Sequence, residues 1–303
     1  MRIIDGHSHM YQTAASIENL KKSVREIEAF DVDLLLKRLD EIGVSLIQTM
    51  PQSMARIMGA WLGSNALSAD IQRCAPARII SFAAAEPLDQ KDHLNKAELK
   101  ELEEAVTVDG LKGLLLTPPY GRYYSNDRRI YPFYEKAIEL HIPIYFHHSA
   151  QFGSPSLCPL KYCQITLLDD LTIDFPELRF NVEHMGYPWT EELLCIMARS
   201  PNVYTDIAMF IDPYIGYGRR LSLSRSLSMA REYRVLDRVF YGSDYVGENV
   251  DEYCSLLQRE VSYIKEGLNK DFEAQGYEPL TKQEIEGLLA GNVLKLWQKK
   301  LDS

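Results

Sequence analysis

Two histidines near the N-terminus are the first residues whose types and spacing could do chemistry. His7 and His9 follow Ile3 and Ile4, a β-branched pair that predicts a short buried strand, broken at Gly6. Residues two apart on an extended backbone point to the same side, so both imidazoles would project together from the end of this strand. Neutral imidazole is the commonest protein ligand of zinc and related ions. The pair therefore predicts half of a metal site.

Further titratable groups stand at the ends of later predicted strands. The chain has seven histidines, and five of them lie at such ends. The groups at the ends of the first, fifth, sixth and eighth predicted strands are His7 with His9, His147 with His148, His184, and Asp244. Neighbours on a strand face opposite ways, so only one of the adjacent pair should reach a metal. His147 is the expected one, because it directly ends the apolar run. By the same rule Glu183 should face away from His184 and act as a buried structural support.

The elements that must position these groups alternate between strand and helix. After the first strand, strands are predicted at 44–50, 78–83, 110–116, 142–148, 178–184, 202–207 and 238–244. Helices are predicted at 31–42, 51–73, 91–106, 131–140, 164–174, 190–199 and 221–236, with two more near the C-terminus. This alternation over 303 residues indicates one (β/α)8 TIM-barrel domain spanning 1–303, whose strand ends meet at one mouth. The long polar stretch at 11–30 is interpreted as an insertion or a lid over that mouth.

An open doubly wound sheet is the alternative fold. It would need a glycine-rich phosphate turn after the first strand, where this chain has two histidines.

Composition narrows the class of protein and of partner. A net charge of −10 argues against nucleic acid or an anionic membrane as the main partner, but a small anionic substrate meets only local charge. The five cysteines are odd in number and scattered, and Cys158 and Cys163 are only weak evidence for a zinc site. No apolar run is long enough to span a bilayer, and the first strand leaves no room for a signal peptide. We therefore expect a cytoplasmic protein.

Six short motifs, spread from end to end of the chain, point to one family. They are Asp5-Gly-His-Ser-His9, Gly110-Leu-Lys-Gly113, Phe146-His-His148, Glu183-His-Met-Gly186, Tyr241-Gly-Ser-Asp-Tyr245 and Gly291-Asn-Val-Leu294. In these motifs and in their order the chain resembles the amidohydrolase superfamily. Within it, the chain is similar to the amidohydrolase-related branch that includes aminocarboxymuconate-semialdehyde decarboxylase and several lactone hydrolases. The similarity is specific for the superfamily and does not name a substrate.

The resemblance implies a metal site and a catalytic group. Its four ligands of one divalent ion, zinc or in some relatives manganese, would be His7, His9, His147 and Asp244, with His184 as a catalytic histidine off the metal. Relatives with two metals carry a carboxylated lysine or a glutamate at the end of the fourth strand. Here that end reads Leu115-Leu116-Thr117-Pro118, and Lys112 lies near the start of the strand. We therefore expect a mononuclear site.

This ligand set fits two reaction classes, hydrolysis and non-oxidative decarboxylation. Three imidazoles and a carboxylate leave a position open for water, and bound Zn²⁺ lowers the pKa of that water to about 7. Asp244 could accept the water's proton, and His184 could donate or accept a proton. The main prediction is a metal-dependent hydrolase of a small anionic or cyclic substrate, a lactone or an amide. A metal-dependent non-oxidative decarboxylase of an aromatic or muconate-type acid is the alternative, and a ligand-binding barrel without turnover is the second alternative.

Cationic and aromatic residues in the loops at the mouth are candidates for binding the substrate. The foremost are Arg56, Tyr120, Arg122, Trp189 and Arg219. Further candidates are Tyr123, Tyr124, Arg128, Arg129, Tyr187, Tyr214, Tyr217 and Arg220. Together they favour an anionic or planar substrate, which suits hydrolysis and decarboxylation equally. Barrels of the resembled branch are often dimers, so a homodimer is left open.

Overall fold

Eight parallel strands form a closed ring. The computed structural model describes residues 1–12, 14–16, 31–148, 158–212 and 219–298. The strands are β1 (Ile3–Asp5), β2 (Val44–Thr49), β3 (Ile79–Ser81, continued by Ala83–Ala84), β4 (Leu114–Leu116), β5 (Ile144–Phe146), β6 (Phe180–Val182), β7 (Val203–Asp206) and β8 (Val239–Phe240). Each strand pairs in parallel with the next. The ring closes where the Gly6 N–H donates to the Tyr241 carbonyl at 3.1 Å, which confirms the predicted TIM barrel.

Helices follow the strands. They are α1 (Val32–Ile42), α2 (Asn65–Cys74), α3 (Lys96–Thr107), α4 (Tyr131–Glu139), α5 (Leu167–Asp174), α6 (Thr190–Arg199), α7 (Arg220–Glu232) and α8 (Val250–Ser262). Shorter helices and helical turns lie at Ala55–Met58, Pro118–Gly121, Arg128–Ile130, Leu160–Tyr162, Glu183–Gly186, Leu236–Arg238, Tyr263–Gly267, Leu268–Ala274, Lys282–Glu286, Gly287–Gly291 and Asn292–Trp297. None of the helices in the described part of the chain has both the length and the apolar character that crossing a membrane requires.

Local signals account for the bounds of α1. The Asp31 carboxylate accepts a hydrogen bond from the Leu34 N–H at 2.8 Å and so caps the first turn. The helix ends at Gly43, which adopts the left-handed conformation (φ 73°) that glycine tolerates best. Both residues stand where the sequence predicts the start and the end.

Segment 52–62 differs from the prediction of one long helix. Gln52–Met54 and Ala60–Leu62 are antiparallel strands on either side of a single short helix. Ala60–Leu62 also pairs with Ala14–Ser16, far away in the sequence. Because strand pairing with a distant segment overrides local periodicity, a pattern confined to this stretch could not show it. Of the stretch interpreted as a lid, residues 13 and 17–30 lie outside the described residues.

Alternating side chains divide the core into two layers. The apolar cluster inside the ring includes Ile4, Leu46, Ile80, Phe82, Leu115, Tyr145 and Phe240. The cluster between strands and helices includes Ile3, Ile47, Ile79, Leu114, Leu116, Ile144, Phe146, Phe180 and Val182. On β5, Tyr145 therefore points inward and Phe146 outward. The same alternation directs His147 towards the interior of the mouth and His148 away from it.

Candidate active site

The first cluster at the mouth joins the ends of β1 and β8. His7 Nε2 lies 3.3 Å from Asp244 Oδ1, and His9 Nε2 lies 3.5 Å from the same oxygen. The Asp244 N–H donates to the His7 carbonyl at 2.8 Å, which ties the two strand ends together. All three side chains are buried, and their ligand atoms lie close enough together to hold one metal ion.

The second cluster lies at the ends of β5 and β6. Glu183 Oε2 is 2.8 Å from His147 Nδ1 and 3.7 Å from His184 Nε2. It adjoins the first cluster, since Glu183 Oε1 is 3.8 Å from His7 Nε2 and His184 Nε2 is 3.9 Å from Asp244 Oδ2. Three of the four predicted ligands thus form the first cluster, and the fourth, His147, belongs to the second.

The prediction that Glu183 faces away from His184 is wrong. The strand ends at Val182, and His184 (φ 55°) and Met185 (φ 52°) adopt left-handed backbone conformations. This turn ends the alternation of an extended chain, so two adjacent side chains reach the same cluster. Glu183 does support a neighbour, as predicted, because it accepts the hydrogen bond of His147. The outward orientation predicted for His148 agrees with its burial against Phe146, at 6.0 Å between ring centroids.

Sequence reasoning missed Asp206, the last residue of β7. Its Oδ2 accepts from His7 Nδ1 at 3.1 Å and from Asn181 Nδ2 at 2.7 Å. Its Oδ1 accepts from the backbone N–H groups of His184 at 3.0 Å and Ala208 at 3.1 Å. Its place at the end of a barrel strand, like the histidines, was the signal that could have found it.

Hydrogen bonds at Nδ1 fix the tautomers of His7 and His9. The carboxylate of Asp206 accepts from His7 Nδ1, and the carbonyl of Met50 accepts from His9 Nδ1 at 2.7 Å. Because these oxygens accept and do not donate, each Nδ1 carries the proton. When the rings are neutral, the Nε2 lone pairs therefore face Asp244, as metal-binding histidines require.

Charges at the site strongly perturb its ionisable groups. Burial opposes the charged form of His7, but Glu183, Asp206 and Asp244 raise its pKa well above the ordinary value. Burial likewise opposes ionisation of Asp244, yet His7 holds the pKa of this carboxyl well below its usual range. Burial lowers the pKa of His184. Three buried carboxylates so close together make a strongly negative site, which suits a divalent cation.

A second observation also supports a metal ion at these histidine and carboxylate side chains. Among the described residues, buried atoms without a hydrogen-bond partner include Nε2 of the predicted ligands His7 and His147. Burying a polar atom unpaired is costly, and a cation placed between such atoms removes the cost.

No lysine or carboxylate stands at the described end of β4, where the Thr117 hydroxyl donates to the Ser53 carbonyl at 3.2 Å. Lys112 is exposed near the start of that strand. The mononuclear site stays a prediction.

One aromatic candidate borders the second cluster, and another packs beside it. The Tyr120 ring stacks on His147, with centroids 4.9 Å apart. Trp189 packs against the cluster that Tyr120 forms with Cys158 and Cys163. The two cysteines are free thiols with sulfurs 3.7 Å apart. One face of the mouth is therefore aromatic and apolar, as a planar substrate would require.

The cationic candidates are more dispersed. Arg56 pairs with Asp92 at 2.6 Å, Arg122 is exposed, and the Arg219 guanidinium lies 4.4 Å above the Tyr187 ring. Among the remaining candidates, Tyr123 is buried, Tyr124 and Arg128 are exposed, Arg129 pairs with Asp127, and Arg220 lies over Tyr263. Tyr214 and Tyr217 lie outside the described residues. The substrate-binding roles of all these residues stay predictions.

Comparison with known proteins identifies the family. A family model described as amidohydrolase matches residues 48–299. The chain belongs to the amidohydrolase family. This family is metal-dependent, and the buried histidine and aspartate groups at the mouth could bind the ion.

Individual relatives of this amidohydrolase-family chain are distant. Over 145 residues it is 32% identical to 2-keto-4-carboxy-3-hexenedioate hydratase of Sphingobium sp., covering 39% of this chain and 42% of the relative. The chain thus matches less than half of that protein's length. The structure of 4-oxalomesaconate hydratase from Rhodopseudomonas palustris is similar at a TM-score of 0.65, with 20% identity over 98% of this chain and 95% of that one. A probable 2-pyrone-4,6-dicarboxylic acid hydrolase from Acinetobacter baumannii has a TM-score of 0.61 and 16% identity, over 98% of this chain and 100% of that one. These structural likenesses show the fold.

Proposed function

We propose that the protein is a metal-dependent hydrolase that adds water to a small carboxylate with a lactone or amide bond. The observation that carries the proposal is the convergence of His7, His9 and Asp244 at the barrel mouth, with His184 Nε2 3.9 Å from Asp244 Oδ2. Asp244 supplies a carboxylate, and His184, which lies outside the first cluster, supplies an imidazole. Acid–base catalysis of the attack by water needs one group of each kind.

The chain's own residues would share the proton transfers. A bound divalent ion, Zn²⁺ in our proposal with Mn²⁺ as the other option, supplies a Lewis acid and lowers the pKa of water. Asp244 accepts the proton of the attacking water through a carboxylate oxygen. His184 then donates a proton to the leaving group, and the burial that lowers its pKa favours release of that proton. Tyr120 and Trp189 exclude water from one side of the substrate.

The guanidinium of Arg219 and the names of the relatives support a substrate that carries a carboxylate. The curated relative and the similar hydrolase are both named for substrates with carboxyl groups. Arg219, half-buried over Tyr187, is the cation that we propose for binding such a group. The net charge of −10 supports a small molecule over nucleic acid or membrane as the partner. The proposal includes a cytoplasmic location, and sedimentation would show whether the chain forms a homodimer.

Hydration of a carbon–carbon double bond is the second candidate. The curated relative that is 32% identical is named as a hydratase, and hydration uses the same activation of water. Non-oxidative decarboxylation stays the alternative, because the same groups could orient an acid and protonate a carbon as CO₂ leaves. A barrel that binds a ligand without turnover is the remaining alternative.

Three substrate panels test the proposal. Protein loaded with Zn²⁺ or Mn²⁺ is incubated with lactones and cyclic amides, with unsaturated oxo acids, and with aromatic or muconate-type acids. The chelator-treated protein is the control. Ring opening that depends on the ion supports the hydrolase. Loss of double-bond absorbance without ring opening replaces it with the hydratase, and CO₂ release replaces it with the decarboxylase. A protein that binds the ion but turns over none of the three panels overturns the proposed function.

A further inference from the structure

Glu183 lies where the two clusters of the site meet. Its side chain is 1% exposed. Oε2 lies 2.8 Å from His147 Nδ1 and 3.7 Å from His184 Nε2, and Oε1 lies 3.8 Å from His7 Nε2. One carboxylate therefore faces imidazoles that come from three different barrel strands.

Among the described residues, only one of the two oxygens of Glu183 has a hydrogen-bond partner. Oε2 accepts from His147, whereas Oε1 is among the buried atoms without a partner in the described part of the chain. The facing Nε2 atoms of His7 and His184 likewise find no hydrogen-bond partner among the residues that the structure describes. Ligand atoms that share one ion at about 2.1 Å lie about 3–3.5 Å from one another, close to the spacing found here. A cation between Glu183 Oε1 and His7 Nε2 would pair both of these buried atoms at once.

The backbone after Glu183 provides a second argument. His184 and Met185 both adopt the left-handed conformation, which is uncommon for residues other than glycine. An ordinary strand end would direct Glu183 and His184 to opposite sides. The unfavourable turn places both on the same side, as expected if both act at the site.

We infer that Glu183 is itself a ligand of the proposed ion, a second carboxylate beside Asp244. This inference rests on the proposed metal-dependent function. The competing explanation is that Glu183 only orients His147 through its hydrogen bond, but that role leaves Oε1 buried and without a partner in the described ranges of the chain. Two carboxylates would balance the charge of a divalent ion. They would also shift the preference of the site from Zn²⁺ towards Mn²⁺, because oxygen ligands suit the harder ion.

The variant E183Q tests the inference without using activity. Glutamine keeps the size and one acceptor but removes the charge. We expect the ion affinity, measured by competition with a chelator, to fall more than about 100-fold, beyond the 10–100-fold typical of a residue that only orients a ligand. The absorption spectrum of the Co²⁺-loaded protein should change, because a ligand is lost. The matched control is E260Q, since Glu260 is equally buried but accepts from the Tyr241 hydroxyl at 2.7 Å.

Each outcome decides the inference. Wild-type affinity in E183Q overturns it, and so does a 10–100-fold loss with an unchanged Co²⁺ spectrum, which would leave Glu183 as a positioning residue. If E183Q does not fold, E183D is measured by the same two criteria, since it keeps the charge but shortens the reach. A wild-type protein that binds no ion overturns both this inference and the metal-dependent function. A wild-type protein that binds one ion but has no activity overturns the proposed function alone.

Discussion

Replacing Asp206 by asparagine tests how the site is held together. The carboxylate accepts four hydrogen bonds, two at each oxygen. In D206N the amide oxygen can still accept from the backbone N–H groups of His184 and Ala208. The new NH₂ group then faces His7 Nδ1 and Asn181 Nδ2, which both donate, so two hydrogen bonds are lost. The substitution changes almost no volume.

The size of the effect follows from those two bonds. A hydrogen bond to a charged group contributes about 1.5–3 kcal/mol, so the free energy of unfolding should fall by about 3–6 kcal/mol. At about 2 °C per kcal/mol for a chain of this size, the melting temperature falls by roughly 6–12 °C. His7 also loses the acceptor that keeps its proton on Nδ1. Affinity for the ion should therefore fall roughly 10–100-fold.

Two assays separate the effects on stability and on ion binding. Calorimetry of the chelator-treated protein gives the change in melting temperature, and chelator competition gives the ion affinity. The control is D237N, because Asp237 is 66% exposed and its pairing with Lys295 at 3.3 Å should contribute about 0–1 kcal/mol. If D206N melts within 2 °C of the wild type and binds the ion as tightly, the reasoning is refuted.

Three further predictions concern other parts of the chain. Burial raises the pKa of Glu98 from 4.5 to about 8, so the folded protein holds this proton more tightly than the unfolded chain does. The contribution of this proton to stability is present below pH 4.5 and is lost as the pH rises through about 8. Urea unfolding from pH 5 to 9 should show this decline in the free energy of unfolding. An equal decline in E98Q would contradict the assignment to Glu98. H184N should still bind one ion but lose about 10²–10⁴-fold in kcat, measured on the substrate that the panels identify; loss of the ion would reject a role off the metal. G242A should melt well below the wild type, because an added Cβ would lie 2.4 Å from the His7 Cβ, whereas at Gly291 the nearest atom is 3.8 Å away and G291A should melt normally. Equal melting temperatures of the two glycine variants would show that the contact is not tight.

The sequence alone predicted the barrel and brought the candidate site residues to the ends of its strands. Strand and helix alternation depends on local periodicity, and a parallel ring brings the carboxyl ends of its strands to one mouth. The alternation along β5 also predicted that His147 and not His148 turns inward, and the opposite layers of Tyr145 and Phe146 agree with it. Capping by Asp31 and Gly43 predicted the bounds of α1.

Only the tertiary structure decided how the side chains at the mouth are shared. Asp206 takes its role from partners in two other segments, at His7 and at 181–184, and Arg56 pairs with Asp92, 36 positions away. Glu183 reaches the site because the next residue leaves the extended conformation. Periodicity describes which way a regular strand or helix presents its residues. It contains no information on a left-handed backbone turn, nor on which distant donor meets which acceptor, because both depend on how the packed strands compete for the same space.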